Sequence, residues 1–397
     1  MKKLVFLGYL PLSKKLWEDY FIDYMIEGGI AVEYWDLSKV IYPEIDSSHH
    51  PTDSIIRKLR DTSDLSERLK AESRTETLFL AQVTYEARSV PLFRMLKAYS
   101  CQTSFFARGN IPIPTAKEIA STRDNRGPLL ARMIRVLKKV MDKVPHRYAL
   151  FCKIIGITKT HDIVFKAGNT GMQTIGVGAR LEKSRARIVD INFFDYDKYM
   201  TVRAEKENLV EGDYCVFLDE YTPYHPDFLL LGIPSVEPSK YYTSMNSFFK
   251  KLEAKFNTRV IIAAHPKADY KINPYDGRQL FVMKTCELVK NARFVISHSS
   301  TSISFAVLFN KPLIFIYNDE MLRLYADTYC EYSKHFAKTV GSKCYNIDTV
   351  TVSSIEISPV DIACYEAYRY DFLTSKTSEN RTSKEIVLET LLNLNFD

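Results

Sequence analysis

The segment Phe294–Ala306, FVISHSSTSISFA, places five hydroxyl residues and one histidine in the six positions 297–302, between two apolar runs. Read as strand, turn and helix start, it sets Ser297, Ser299, Ser300 and Thr301 where backbone N–H groups and the positive end of a helix dipole favour an anion. Capping a helix takes one Ser or Thr. This many small hydroxyls suits a phosphate that approaches the backbone closely. About thirty residues earlier, RVIIAAHPKAD carries a buried strand into His265, Pro266 and Lys267. An imidazole and an ammonium beside a rigid turn suit a bound phosphate or a departing phosphate oxygen. A third segment, Val216–Gly232, ends its apolar run on Asp219 and Glu220 and continues to His225 and Asp227. A carboxylate at a strand end either takes a proton from a hydroxyl or attacks an electrophilic carbon.

Two turns in the first half of the chain carry further candidates. Arg108 follows a strand and has the forked geometry that grips carboxylate or phosphate. Asp195 and Asp197, two apart among aromatics in FFDYDKY, suit hydroxyl-rich ligands. No histidine stands nearby to complete a ligand set, so no metal is expected, and no cofactor either.

These residues need strands to deliver them. Short apolar runs at Leu4–Leu10, Ile30–Leu37, Thr77–Val83, Thr103–Ala107, Asp162–Ala167 and Arg187–Phe193 alternate with helical periods through Trp17–Met25 and Val90–Ala98. After the polar stretch Arg203–Asp213 the alternation resumes. Strands are predicted at Tyr214–Leu218, Val260–Ala264, Phe294–Ser297 and Leu313–Tyr317, with helices over Tyr241–Phe256, Gln279–Lys290, Ser302–Phe309, Pro359–Phe372 and Ser383–Leu394. The pattern is that of parallel sheets covered on both faces. It predicts an α/β chain of two Rossmann-like domains, 1–210 and 211–397, facing across a cleft as in the GT-B class. The first turn lacks a GxGxxG fingerprint, which argues against nicotinamide or flavin. One basic amphipathic helix, predicted over Leu129–Val144, presents Arg132, Arg135, Lys138 and Lys139 beside an apolar stripe and suits an anionic membrane face.

At 397 residues, two domains are the ordinary expectation. The net charge of +6 favours anionic ligands without an RNA- or DNA-binding motif, so nucleic acid is not expected. Seven scattered cysteines form no CxxC pair, which points to reduced thiols in the cytoplasm. The opening MKKLVFLGYLPLSKK has too short an apolar run for a signal peptide, and no run approaches a membrane span. A soluble protein, possible at the inner membrane face as a peripheral partner, is the expectation.

The His265-Pro266 turn followed by Ser299-Ser300 resembles the HP and serine motifs of bacterial sialyltransferases, polysialyltransferases and Kdo transferases. The resemblance spans roughly residues 214–318. It implies a glycosyltransferase whose donor is a CMP-activated ulosonic acid (sialic, pseudaminic, legionaminic acid or Kdo) and whose acceptor is a glycan or lipid-linked glycan of an O-antigen or capsule. The CMP moiety would lie on His265, Pro266, Lys267, Ser297, Ser299, Ser300 and Thr301. Catalysis would fall to Asp219, with Glu220 and His265, and the acceptor to Arg108, Asp195, Asp197, His225 and Asp227. In the family the acidic motif ends in Gly, whereas Tyr221 stands here. Three other readings share the pattern: a CDP-polyol phosphotransferase with a histidine base, a UDP-sugar 2-epimerase, and a non-catalytic nucleotide-sugar scaffold.

Overall fold

A computed structural model of the protein describes residues 1–44, 51–114, 143–225, 228 and 233–394. The predicted basic helix 129–144, apart from its last two residues, and the candidate Asp227 lie outside them.

The described residues form two compact units. The first holds Met1–Asn110, the described part of 126–194 and the residues from Thr374 on; Asp195–Leu373 belong to the second. The division thus falls at Phe194/Asp195, where the sequence reading places it near 210, and the tail returns to the first unit. Its helix Ser383–Leu392 packs Ile386, Val387 and Leu391 on Leu4, Phe6 and Ile22.

The first unit is built on a seven-stranded sheet. Its strands are β1 (Lys3–Gly8), β2 (Ala31–Asp36), β3 (Ile56–Lys58), β4 (Thr77–Ala81), β5 (Gln102–Ala107), β6 (Ile163–Ala167) and β7 (Arg187–Ile191). Their spatial order is β3-β2-β1-β4-β5-β6-β7, and every pair is parallel. Side chains alternate between two buried faces. Leu4 and Phe6 enter one core, while Val5 and Leu7 enter another with Trp35, Phe79, Phe93 and Leu96.

The second unit repeats the plan with β8 (Tyr214–Leu218), β9 (Arg259–Ala264), β10 (Leu280–Val282), β11 (Val295–Ser297), β12 (Leu313–Tyr317) and β13 (Lys343–Asn346). The order is β10-β9-β8-β11-β12-β13, again all parallel. Counted within the unit this is 3-2-1-4-5-6, the doubly wound order of Rossmann folds. The long helix Pro238–Phe256 covers one face, burying Tyr241, Met245, Phe248, Phe249 and Leu252. The chain therefore carries the two Rossmann-like α/β units of the GT-B class.

Local departures from the sequence reading have visible causes. The helix expected through Trp17–Met25 is two short helices, Lys14–Asp19 and Ile22–Glu27, because Phe21 between them takes a left-handed φ of 57°. The helix expected over Gln279–Lys290 begins as β10. Met283, with φ 59°, turns the chain before the helix Thr285–Asn291. Among the described residues no helix is long and apolar enough to cross a membrane.

Candidate functional site

In a doubly wound sheet, a crevice opens at the carboxyl ends of the two strands where the order reverses. In the second unit those strands are β8 and β11. The first delivers Asp219 and Glu220, the second His298, Ser299 and Ser300, and the neighbouring β9 delivers His265. The sequence candidates of the second half thus converge because each lies at the same edge of one sheet.

Asp219 is 3% exposed. Its Oδ1 accepts from the Tyr221 N–H at 2.8 Å and the Tyr275 hydroxyl at 2.9 Å, and its Oδ2 from the Tyr270 hydroxyl at 2.7 Å. The backbone N–H of His265 also donates to it. Burial pushes the Asp219 pKa up, although all four donors oppose the shift. Burial and the Asp219 charge raise both phenols, so the tyrosines remain donors. This carboxylate ties β8 to the turn after β9 and to the loop 270–275. Tyr221 has a φ of 55°, the left-handed region that glycine enters at no cost. Tyr221 therefore holds a backbone conformation that a glycine would supply without strain. Its ring packs edge-on against Tyr270, with centroids 5.0 Å apart.

Glu220 reaches across the crevice to β11. It accepts from the Ser299 N–H at 2.6 Å and the Ser299 Oγ at 3.2 Å, and from the Ser300 N–H. Burial pushes its pKa up to about 7; the Ser299 and Ser300 donors oppose the shift and the Asp219 charge adds to it. A carboxylate already sits on the hydroxyl-rich turn, so the turn's ability to hold an anion is realised by the chain itself. Within the turn, Ser300 N–H donates to Ser297 Oγ at 3.2 Å and Ser302 N–H to Ser300 Oγ at 3.3 Å. Thr301 is exposed. The helix that follows, Ile303–Leu308, is only six residues long.

The His265 ring lies against the His225 ring, centroids 4.9 Å apart at 62°. His265 Nδ1 accepts from the Lys267 N–H at 3.1 Å, which closes the His-Pro-Lys turn, and Pro266 and Lys267 are exposed. His298, inside the hydroxyl run, has another role. It is fully buried, its Nδ1 is 2.7 Å from the Ile316 carbonyl and its Nε2 is 2.8 Å from the Tyr241 hydroxyl. Burial lowers its pKa to about 4. It is a neutral core link between β12 and the helix Pro238–Phe256.

The other candidates make different contacts. Arg108 belongs to the first unit and is buried. Its guanidinium lies 3.8 Å from the Phe194 ring centroid and 4.6 Å from that of Phe106, and donates to the Asp19 carbonyl. Asp195 and Asp197 open the helix Phe194–Val202 within the second unit, and Asp195 accepts from Ser304 Oγ. Sequence reasoning passed over Tyr270, Tyr275 and Tyr241. Their only advance signal was the count of 25 tyrosines, which ordinary packing explains equally well.

No family model and no curated protein matches the chain. Among solved structures, it is similar to the wall teichoic acid polymerase TagF, at 10% identity over 98% of this chain and 87% of that one, with a TM-score of 0.49. It is similar to UDP-GlcNAc 2-epimerase from Methanocaldococcus jannaschii at 11% identity over 99% of both chains, TM-score 0.45. MurG from Acinetobacter baumannii gives 8% identity over 99% of this chain and 100% of that one, TM-score 0.44. All three scores lie below 0.5, and the fold rests on the strand order and pairing described above.

Proposed function

We propose that the protein is a glycosyltransferase that moves a CMP-activated ulosonic acid onto a glycan or lipid-linked glycan of a surface polysaccharide. The observation that supports this most is the joining of Glu220 to Ser299 at the reversal point of the second sheet. One crevice there offers an anion-binding turn and a carboxylate that exchanges its proton near neutrality. In this reading the second unit binds the donor and the first the acceptor. The donor phosphate lies against Ser299, Ser300 and Thr301, with His265 and Lys267 stabilising the charge that grows as CMP departs.

Seating that phosphate requires Glu220 to yield the Ser299 donors or to take up a proton, and its raised pKa makes the second route available at neutral pH. The proton that Glu220 takes up passes to the departing CMP phosphate as the bond to the sugar breaks, and the charged Glu220 then accepts the proton of the attacking acceptor hydroxyl. Asp219 positions the site, because both of its oxygens are engaged by four donors from three segments. Five of the seven cysteines are buried, and none is in a disulfide, in keeping with the cytoplasm, where nucleotide sugars are used.

Supplied with a CMP-ulosonic acid and an O-antigen or capsular acceptor, the protein releases CMP. Glu220→Gln lowers kcat by at least about 100-fold with donor affinity retained. The neighbouring His225 and His265 rings favour a second reading, a CDP-polyol phosphotransferase with a histidine base. Product from CDP-glycerol and none from any CMP-sugar decides for it.

A further inference from the structure

The helix Pro238–Phe256 of the second unit buries one face in the core and turns polar residues outward. Beside it, Tyr242, Asn246, Ser247 and Lys250 stand across from Pro274 and Asp276 around an open groove of about 700 Å³. A second groove of about 490 Å³ adjoins it over the shared residues Ser239, Thr243 and Ser247, and reaches Asp348. Volumes of this order hold small-molecule ligands. The walls are fixed by bonds of their own. Asn246, only 9% exposed, donates from Nδ2 to the Pro274 carbonyl at 2.8 Å and accepts from Arg278 at 3.1 Å. Arg278 is held in turn by Glu253 at 2.8 Å. The Tyr242 ring, 8% exposed, meets Tyr275 edge-on with centroids 5.3 Å apart. On the far side Ser244 donates to Asp348, whose other oxygen accepts from the Asp319 N–H at 2.8 Å.

Four lining groups are left uncommitted. Thr243, Ser247, Lys250 and Asp276 are exposed, and among the described residues their side chains have no hydrogen-bond or ion-pair partner. The ammonium and the carboxylate stand on opposite walls, one on the helix and one on the loop. Together the four offer hydroxyls that donate and accept, a donor-only cation and an acceptor-only anion, with no net charge. An isolated anion gains little where the ammonium is answered by a carboxylate, and an apolar ligand would cover these groups without satisfying them. A polyol fits both limits. Its hydroxyls donate and accept, and its C–H faces can lie on the half-buried rings of Pro238 and Pro274.

We propose that the two adjoining grooves form one binding site for an uncharged oligosaccharide, held by Thr243, Ser247, Lys250 and Asp276. The site shares a wall with the crevice. The loop 270–275 lines the groove through Pro274, while its Tyr270 and Tyr275 hydroxyls hold Asp219. The Tyr242 hydroxyl, 3.4 Å from that of Tyr270, joins the two sides. A glycan acceptor would thus be gripped, away from its reacting end, by the loop that shapes the crevice. That last step rests on the glycosyltransferase reading given above; oligosaccharide binding by the groove does not.

The test is isothermal titration calorimetry of the full-length protein, without nucleotide, with maltotriose and with N,N′,N″-triacetylchitotriose. At least one trisaccharide should bind with a Kd of about 1 mM or tighter, and inorganic phosphate should not displace it. Ser247→Trp, which fills the residue shared by both grooves, should weaken that binding at least about tenfold. Asp276→Asn keeps a side chain that tolerates the left-handed φ of 50° and removes the charged acceptor; it should weaken binding at least about threefold. An unchanged thermal midpoint shows that each variant is folded. Binding of neither trisaccharide, displacement by phosphate, or unchanged affinity in a folded variant overturns the proposal. The thermal shift of Ser247→Trp with CMP reports on the crevice alone, so the two readings fail separately.

Discussion

Glu220 and Asp219 are adjacent in sequence, yet their surroundings give them different work. Asp219 is saturated by hydroxyl and backbone donors, whereas Glu220 holds the serine turn with a pKa pushed up to about 7. A carboxyl whose folded pKa lies above its unfolded value of 4.5 binds more protons when folded, so its stabilising contribution is complete below the unfolded value. That contribution is lost as pH rises through about 7. Denaturant titrations should show wild-type stability falling between about pH 4.5 and 7 by up to about 3 kcal/mol more than in Glu220→Gln; parallel curves would remove Glu220 as the titrating group. Tyr221→Gly relieves a left-handed backbone worth about 1 kcal/mol but loses the ring contact with Tyr270. Tyr221→Ala loses the contact and keeps the strain, so the glycine variant should unfold at higher denaturant than the alanine variant.

At the scale of elements, the strands that carry the site were readable. β8, β9, β11 and β12 are buried on both faces and appear as unbroken apolar runs. β3 and β10 were not, because each is an edge strand only partly buried: IRK shows no apolar run, and LFV reads equally as part of the helix that follows it. Nor were the breaks at Phe21 and Met283, where non-glycine residues hold positive φ. The buried ion pair of Lys153, on the helix Lys143–Ile154, with Glu182 was equally hidden, since the two residues lie far apart in sequence and meet only when the unit has folded. Lys153→Met should cost up to about 3–5 kcal/mol, since Glu182 loses the ammonium but keeps the His161 N–H at 2.8 Å and the His161 ring nitrogen at 3.2 Å, and the double variant Lys153→Met/Glu182→Leu should recover part of it. Chemical denaturation of the wild type and the two variants measures both. A double variant no more stable than the single one would show that the pair is not isolated.

At the scale of the whole molecule, two Rossmann-like units were expected from the alternation of runs, and two are found. The return of the tail to the first unit was not legible, because Ser383–Leu392 reads as a helix wherever it packs. The convergence of His265, Asp219 and Ser299 on one sheet edge followed from strand order alone. The Glu220–Ser299 contact did not, being a side-chain reach across the reversal point. The central claim is that this crevice binds a nucleotide phosphate, with cytidine as the base. Its most direct test is the thermal shift of wild-type and Ser299→Ala protein with CMP, CDP, UDP and GDP, since a ligand that binds the folded state stabilises it by mass action. The account predicts the largest shift with CMP, strongly reduced in Ser299→Ala. A larger shift with UDP, or a CMP shift untouched by the substitution, would contradict it.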